Sequence, residues 1–292
     1  TLILGDQSSF QVVSGETFTI GNSGGTLSSA SVDFQGQAFI NGAGVLTNNA
    51  ETNFETLEVS NGASLTNIGT MTGTDFVIDT EGAATNSGGL NVNNGSLSVA
   101  GALNNDGQIT IENGQVLLNS SEFNNTGGTL KLQADEFSGS TLTVNAAATN
   151  AGHITISMDG GQSAGQNVVL NSDNDSALTN SGTIETGVSF FGNSGMLVVG
   201  ADIINTNLMD IVGRVDVQGG ITLDSVNGEI RVSDTDNGPD GVINFLNNST
   251  LTVGNDTTLT FETGMGTSRG TIDFAYNAVL SVADGETFTV DD

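Results

Sequence analysis

The sequence predicts an all-β chain wound as a right-handed parallel β-helix, a β-solenoid with rungs of about 19–20 residues and inserted loops. Three observations predict it. An asparagine returns at Asn48, Asn67, Asn86, Asn105, Asn125, Asn150, Asn180 and Asn205, in steps of 19, 19, 19, 20, 25, 30 and 25 residues. Between these asparagines lie short runs in which Leu, Ile, Val and Phe alternate with polar residues, the period of a strand. Finally, no rung carries apolar residues at i, i+3 and i+4 for long enough to build a crossover helix.

Aligning the rungs assigns their parts in order. Leu90 and Val92 fall under Ile109 and Ile111 as the inward residues of a first strand. Leu97 and Val99 fall nearly under Val116 and Leu118 as those of a second. Between the two, Asn94-Gly95 and Asn113-Gly114 mark a corner, because Asn and Gly tolerate the left-handed backbone a sharp turn requires. A third inward anchor precedes the recurring asparagine, with Leu103 under Phe123. Stacked coils would then align the asparagines into an amide ladder, as in other cross-β arrays. Rungs of more than 20 residues imply loops inserted at about 133–141, 157–177, 186–195 and 233–241. The chain reads as one solenoid domain over 1–292, best defined over 46–210 and less regular over 211–292.

The rung appears as Leu65-Thr66-Asn67-Ile68-Gly69-Thr70-Met71, Leu103-Asn104-Asn105-Asp106-Gly107-Gln108-Ile109 and Leu178-Thr179-Asn180-Ser181-Gly182-Thr183-Ile184. In this it resembles the passenger repeats of filamentous-haemagglutinin-type exoproteins and autotransporter adhesins. The resemblance covers about residues 46–210 well and the rest loosely. It implies export across an outer membrane or display at a cell surface, an extracellular location, and a structural or adhesive role: a rigid stalk, a filament subunit or a surface-layer element. A surface glycan or a protein receptor would be the partner of such a molecule.

Composition narrows the function classes. The 33 acidic residues face only Lys131, Arg214, Arg231 and Arg269, a net charge of −29, and four dispersed cations cannot neutralise a run of phosphates. Nucleic acid is therefore disfavoured, and anionic membrane surfaces would repel the chain. No apolar run approaches the roughly 18–20 residues of a membrane span, so direct membrane insertion is not expected. The absence of cysteine removes disulfides and thiolate metal sites.

Candidate chemistry is sparse. Asp234, Asp236, Asn237 and Asp240 lie in a loop with Gly238, an oxygen-rich pattern that could hold Ca²⁺ and that equally describes a solvated turn. It lacks the terminal bidentate Glu of an EF-hand. Asn171-Ser172-Asp173-Asn174-Asp175 is a second loop of this kind. His153 is the single histidine and fills the variable slot held elsewhere by Thr70, Gly89, Gln108 and Thr183, the place of a surface residue. No catalytic residue is assigned, and the chain is read as a non-enzyme. The alternative is a carbohydrate-active β-helix, a polysaccharide hydrolase or lyase, which would need carboxylates clustered on one sheet face. Here the acids sit in separate turns, at Glu51, Asp106, Glu122 and Asp159. Ser14–Ile20 and 283–290 share the run Gly-Glu-Thr-Phe-Thr, which suggests end-to-end self-association, continuation into a longer solenoid, or merely a limited residue alphabet.

Overall fold

In the computed structural model the described residues are 2–4, 9–12, 17–20, 31–40, 44–120, 122–134, 139–158, 167–172, 176–186, 196–212, 214–226, 228–232, 241–246, 249–253, 258–261, 264–268, 271–274, 279–282 and 287–290. Among them there are strands and turns and no helix. Every strand pairing is parallel, each strand lying on its counterpart about one coil later, so the chain is a β-solenoid. The residues group into two units, Thr1–Lys131 and Leu132–Asp292. Each unit is built the same way: every coil gives two strand segments to a larger sheet and one to a smaller sheet.

In the first unit the pairing is as the rung alignment predicts. Leu90 and Val92 lie on Ile109 and Ile111. Leu97 and Val99 lie on Val116 and Leu118, and Leu103 lies on Phe123. These side chains are buried, with outward residues alternating between them, so the period-two pattern places one set of residues inside every coil. At the corner between the two larger-sheet segments, Asn94 and Asn113 both take φ of 53°. A left-handed turn also occurs at Asn61-Gly62, with φ of 53° and 82°, at a different corner, between the larger-sheet strand Glu51–Val59 and the smaller-sheet strand Ser64–Asn67. Here Asn and Gly avoid the clash that a Cβ-branched residue would meet.

The glycine of the Asn-x-Gly motif has a different cause. A Cβ on Gly88 would come within 2.0 Å of the Gly69 carbonyl oxygen, and one on Gly107 within 2.2 Å of that of Gly88. The coils close on each other at this corner with no room for any side chain. In the second unit Gly182 meets Gly152 in the same way, at 2.0 Å. The rung after Asn125 carries one more residue, and Gly128 rather than Gly127 makes the close approach, to the Gly107 oxygen at 2.4 Å.

The second unit repeats the scheme through longer coils. Ile154 lies on Ile184, Ile184 on Met209 and Met209 on Ile230, all buried. In the rung that ends at Asn205, Ile203 is the inward anchor and Ile204 points outward. Of the predicted insertions, 135–138, 159–166, 173–175, 187–195 and 233–240 lie outside the described residues, Phe190-Phe191 included. The two Gly-Glu-Thr-Phe-Thr segments do not occupy equivalent places. Thr17–Ile20 belongs to the smaller sheet, pairing with Val45–Asn48, whereas Thr287–Val290 belongs to the larger sheet, pairing with Gly264–Ser268.

Candidate functional site

The recurring asparagines close the smaller-sheet strand of each coil, with their side chains turned inward. In the first unit Asn48, Asn67, Asn86, Asn105 and Asn125 stand in register and are buried. Each Nδ2 donates to the Oδ1 of the next asparagine, at 2.8, 2.7, 2.8 and 2.7 Å in order along the stack. The second Nδ2 hydrogen goes to a backbone carbonyl of the following coil: Asn67 to Gly89 at 2.9 Å, Asn86 to Gln108 at 3.2 Å and Asn105 to Thr129 at 3.3 Å. Each amide thus clamps both the side chain and the main chain of the coil above it.

The start of this ladder is capped. Asn48 has no asparagine below it, because its register partner is Ile20. Its Oδ1 instead accepts from the Thr52 hydroxyl at 2.9 Å and from the Ala50 N–H at 3.3 Å. In the second unit Asn150 donates to Asn180 at 2.7 Å, and Asn180 to Asn205 at 2.8 Å. The series then passes to a hydroxyl, with Asn205 donating to Ser225 Oγ at 3.2 Å. Ser225 is fully buried, and Val253 is its partner in the next coil. All eight predicted ladder residues therefore do ladder work within their own units. The caps Thr52 and Ser225 were not legible in a chain so rich in Thr and Ser.

Each of the two described arginines is paired with an aspartate. In the second unit the Arg231 guanidinium donates to Asp210 of the preceding coil at 2.6 Å, and the two residues are in register. Arg214 binds both oxygens of Asp216, at 3.0 and 2.9 Å, and Asn244 of the next coil donates to Asp216 at 2.7 Å. That hydrogen bonding raises the Arg214 pKa further above its ordinary value, against the opposing effect of partial burial. A cation with a raised folded-state pKa stabilises fully below its unfolded value, so this contribution is constant across all ordinary pH. His153 is partly exposed, as its slot predicted, with Nε2 3.2 Å from Glu185 Oε2.

Among the described residues no three His, Asp or Glu side chains converge as a metal ligand set. The calcium candidates Asp234, Asp236, Asn237 and Asp240 lie outside the described residues, as do Asp173, Asn174 and Asp175 of the second loop. Among the described residues, one interior space of about 10 Å³ is lined by Leu65, Met71, Phe76, Ala84 and Leu103, where the small Ala84 stands between two leucines. A space of that size is at the lower bound for a single water and holds no substrate. Comparison with protein-family models, curated proteins and solved structures finds no match to this chain.

Proposed function

We propose that the chain is an extracellular structural and adhesive β-solenoid, of the kind found in haemagglutinin-type exoproteins and autotransporter passengers: a rigid stalk, a filament subunit or a surface-layer element. The observation that carries this reading is the asparagine ladder. The asparagine that recurs from Asn48 to Asn205 is buried and, within each unit, bonded to the next coil, so the repetition serves stacking and not the display of reactive groups. Outward positions carry many Thr, Asn, Ser and acidic residues, a hydrophilic surface suited to a solvated extracellular solenoid. The two described arginines are each held by an aspartate, which leaves them poorly placed to bind an acidic sugar.

Two measurements test the reading together. Immobilised chain is expected to retain whole cells or purified surface glycans and receptors above the level of a cysteine-free acidic control protein of similar charge. A hydrolysis and elimination screen on neutral and acidic polysaccharides is expected to show no turnover. Turnover abolished by single Asp→Asn substitutions would replace the structural reading with the carbohydrate-active one.

A further inference from the structure

The corner between the two larger-sheet segments of a coil selects a reactive dipeptide. Asn94 takes φ of 53°, a backbone that Asn accepts and most other side chains resist. Gly95 is fixed by crowding, since a Cβ there would stand 1.9 Å from the Thr74 carbonyl oxygen of the preceding coil. In an Asn-Gly pair the following main-chain nitrogen reaches the side-chain amide most freely, because no Cβ shields it. The geometry that closes this corner therefore also sets an amide beside its own nucleophile.

Asn94 is set apart from the other described asparagines. It is exposed, and nothing described holds its amide. Strand pairing breaks at its position on both sides. On the preceding coil the register runs to Val92 and resumes at Ser96, and on the next it runs to Asn93 and resumes at Ser96. By contrast, the Asn61 amide donates to Ser60 Oγ at 3.4 Å. Asn113 is half-buried ahead of a buried Gly114, and both are held by polar contacts. The ladder asparagines are buried, and none of them is followed directly by glycine. Where their motif carries a glycine, as at Asn67-Ile68-Gly69, it stands one residue further on, so the amides that carry the stack are kept from an unhindered nitrogen.

We propose that Asn94 is a site of spontaneous succinimide formation and isoaspartyl rearrangement. The Gly95 nitrogen attacks Cγ of Asn94. The N–Cγ bond forms, the Cγ–Nδ2 bond breaks, and ammonia leaves with the proton that the nitrogen gives up. Water then opens the ring at either carbonyl. Addition at Cγ leaves an aspartate on an unchanged main chain. Addition at the main-chain carbonyl carbon routes the backbone through Cβ and Cγ, longer by one methylene, and frees the α-carboxylate. Either product adds a carboxylate to a corner flanked by Asp75 in the preceding coil and Glu112 in the next. The longer linkage also enters a place with no spare room: a Cβ on Gly114 of the next coil would stand 2.6 Å from the Gly95 oxygen. The isoaspartyl corner therefore loosens the stacking of the coils on either side of it, while the asparagine ladder stays chemically intact. This chemistry is independent of the role proposed above and holds whatever the chain binds.

Folded wild-type chain is incubated in warm, mildly alkaline buffer and its peptides are mapped by mass spectrometry. Asn94 is expected to exchange amide for acid several-fold faster than Asn61 or Asn113, in part as isoaspartate, with Asn67, Asn86 and Asn105 unchanged. Asn94→Gly keeps the left-handed corner and removes the amide. It is expected to hold its melting temperature through the same incubation, while wild type loses stability in step with the isoaspartate found. Fresh Asn94→Asp carries the added charge without the added methylene, and aged wild type is expected to melt below it. Three results would overturn the proposal and leave the structural role untouched: equal rates at the three Asn-Gly pairs, an Asn94 that converts in denaturant but not in the folded chain, or aged wild type as stable as fresh Asn94→Asp.

Discussion

A single ladder asparagine illustrates how much rests on one amide. Asn86 accepts from Asn67, and donates to Asn105 and to the Gln108 carbonyl, inside a buried column. Truncation in Asn86→Ala strands the Asn105 oxygen without a donor and removes a partner from Asn67. Unmatched buried polar groups cost roughly 1–3 kcal/mol each, so the variant is expected to lose about 2–4 kcal/mol in denaturant unfolding. The isosteric Asn86→Asp keeps the acceptors and loses the donors, and it buries a charge facing the Asn105 oxygen. Burial favours the neutral acid, so the introduced carboxyl has a raised folded-state pKa. Its penalty is then greatest at neutral pH and shrinks as pH falls and the acid protonates, after which it can donate again. The melting-temperature gap to wild type is expected to narrow on acidification. The ladder was readable in the sequence because an amide bonding to its own kind demands the same residue in every coil. Ser225 was not readable: a hydroxyl can end the series with no Asn-x-Gly around it.

Coils add a second kind of constraint, compensation between neighbours in one column. Phe54 lies on Gly73 in register, and Gly73 on Val92. A Cβ on Gly73 would stand 2.2 Å from the Phe54 ring, which also packs against Phe76 with centroids 6.2 Å apart. The large ring occupies its own layer and part of the next, and the glycine makes room. Gly73→Ala is expected to destabilise strongly, and pairing it with Phe54→Leu is expected to recover part of the loss, a coupling that a double-mutant cycle reads directly. Leu97, by contrast, sits between Phe76 and Val116 with no space to spare, and Leu97→Ala should cost about 2–5 kcal/mol. The positions of the strands and the left-handed corners were legible because alternation and Asn-Gly pairs are local signals. The Phe54–Gly73 exchange was not, since a glycine within a strand looks like a weak point until the coil beneath it is known.

At the scale of the whole molecule, charge opposes the compact state. A net charge of −29 on 292 residues makes self-repulsion a standing cost of folding, relieved by any counterion that screens it. Raising NaCl from roughly 10 mM to about 150 mM shortens the screening length from about 30 Å to about 8 Å, so the melting temperature is expected to rise and then level off. The divalent ions separate screening from binding. Screening depends on ionic strength alone, so at matched ionic strength Mg²⁺ and Ca²⁺ are expected to shift the melting temperature equally. A site built from Asp234, Asp236, Asn237 and Asp240 would instead favour Ca²⁺, whose larger shell accepts an irregular set of oxygens that Mg²⁺ refuses. A calcium excess that chelation reverses and Asp236→Asn abolishes would transfer the effect from the charge of the whole chain to that one loop.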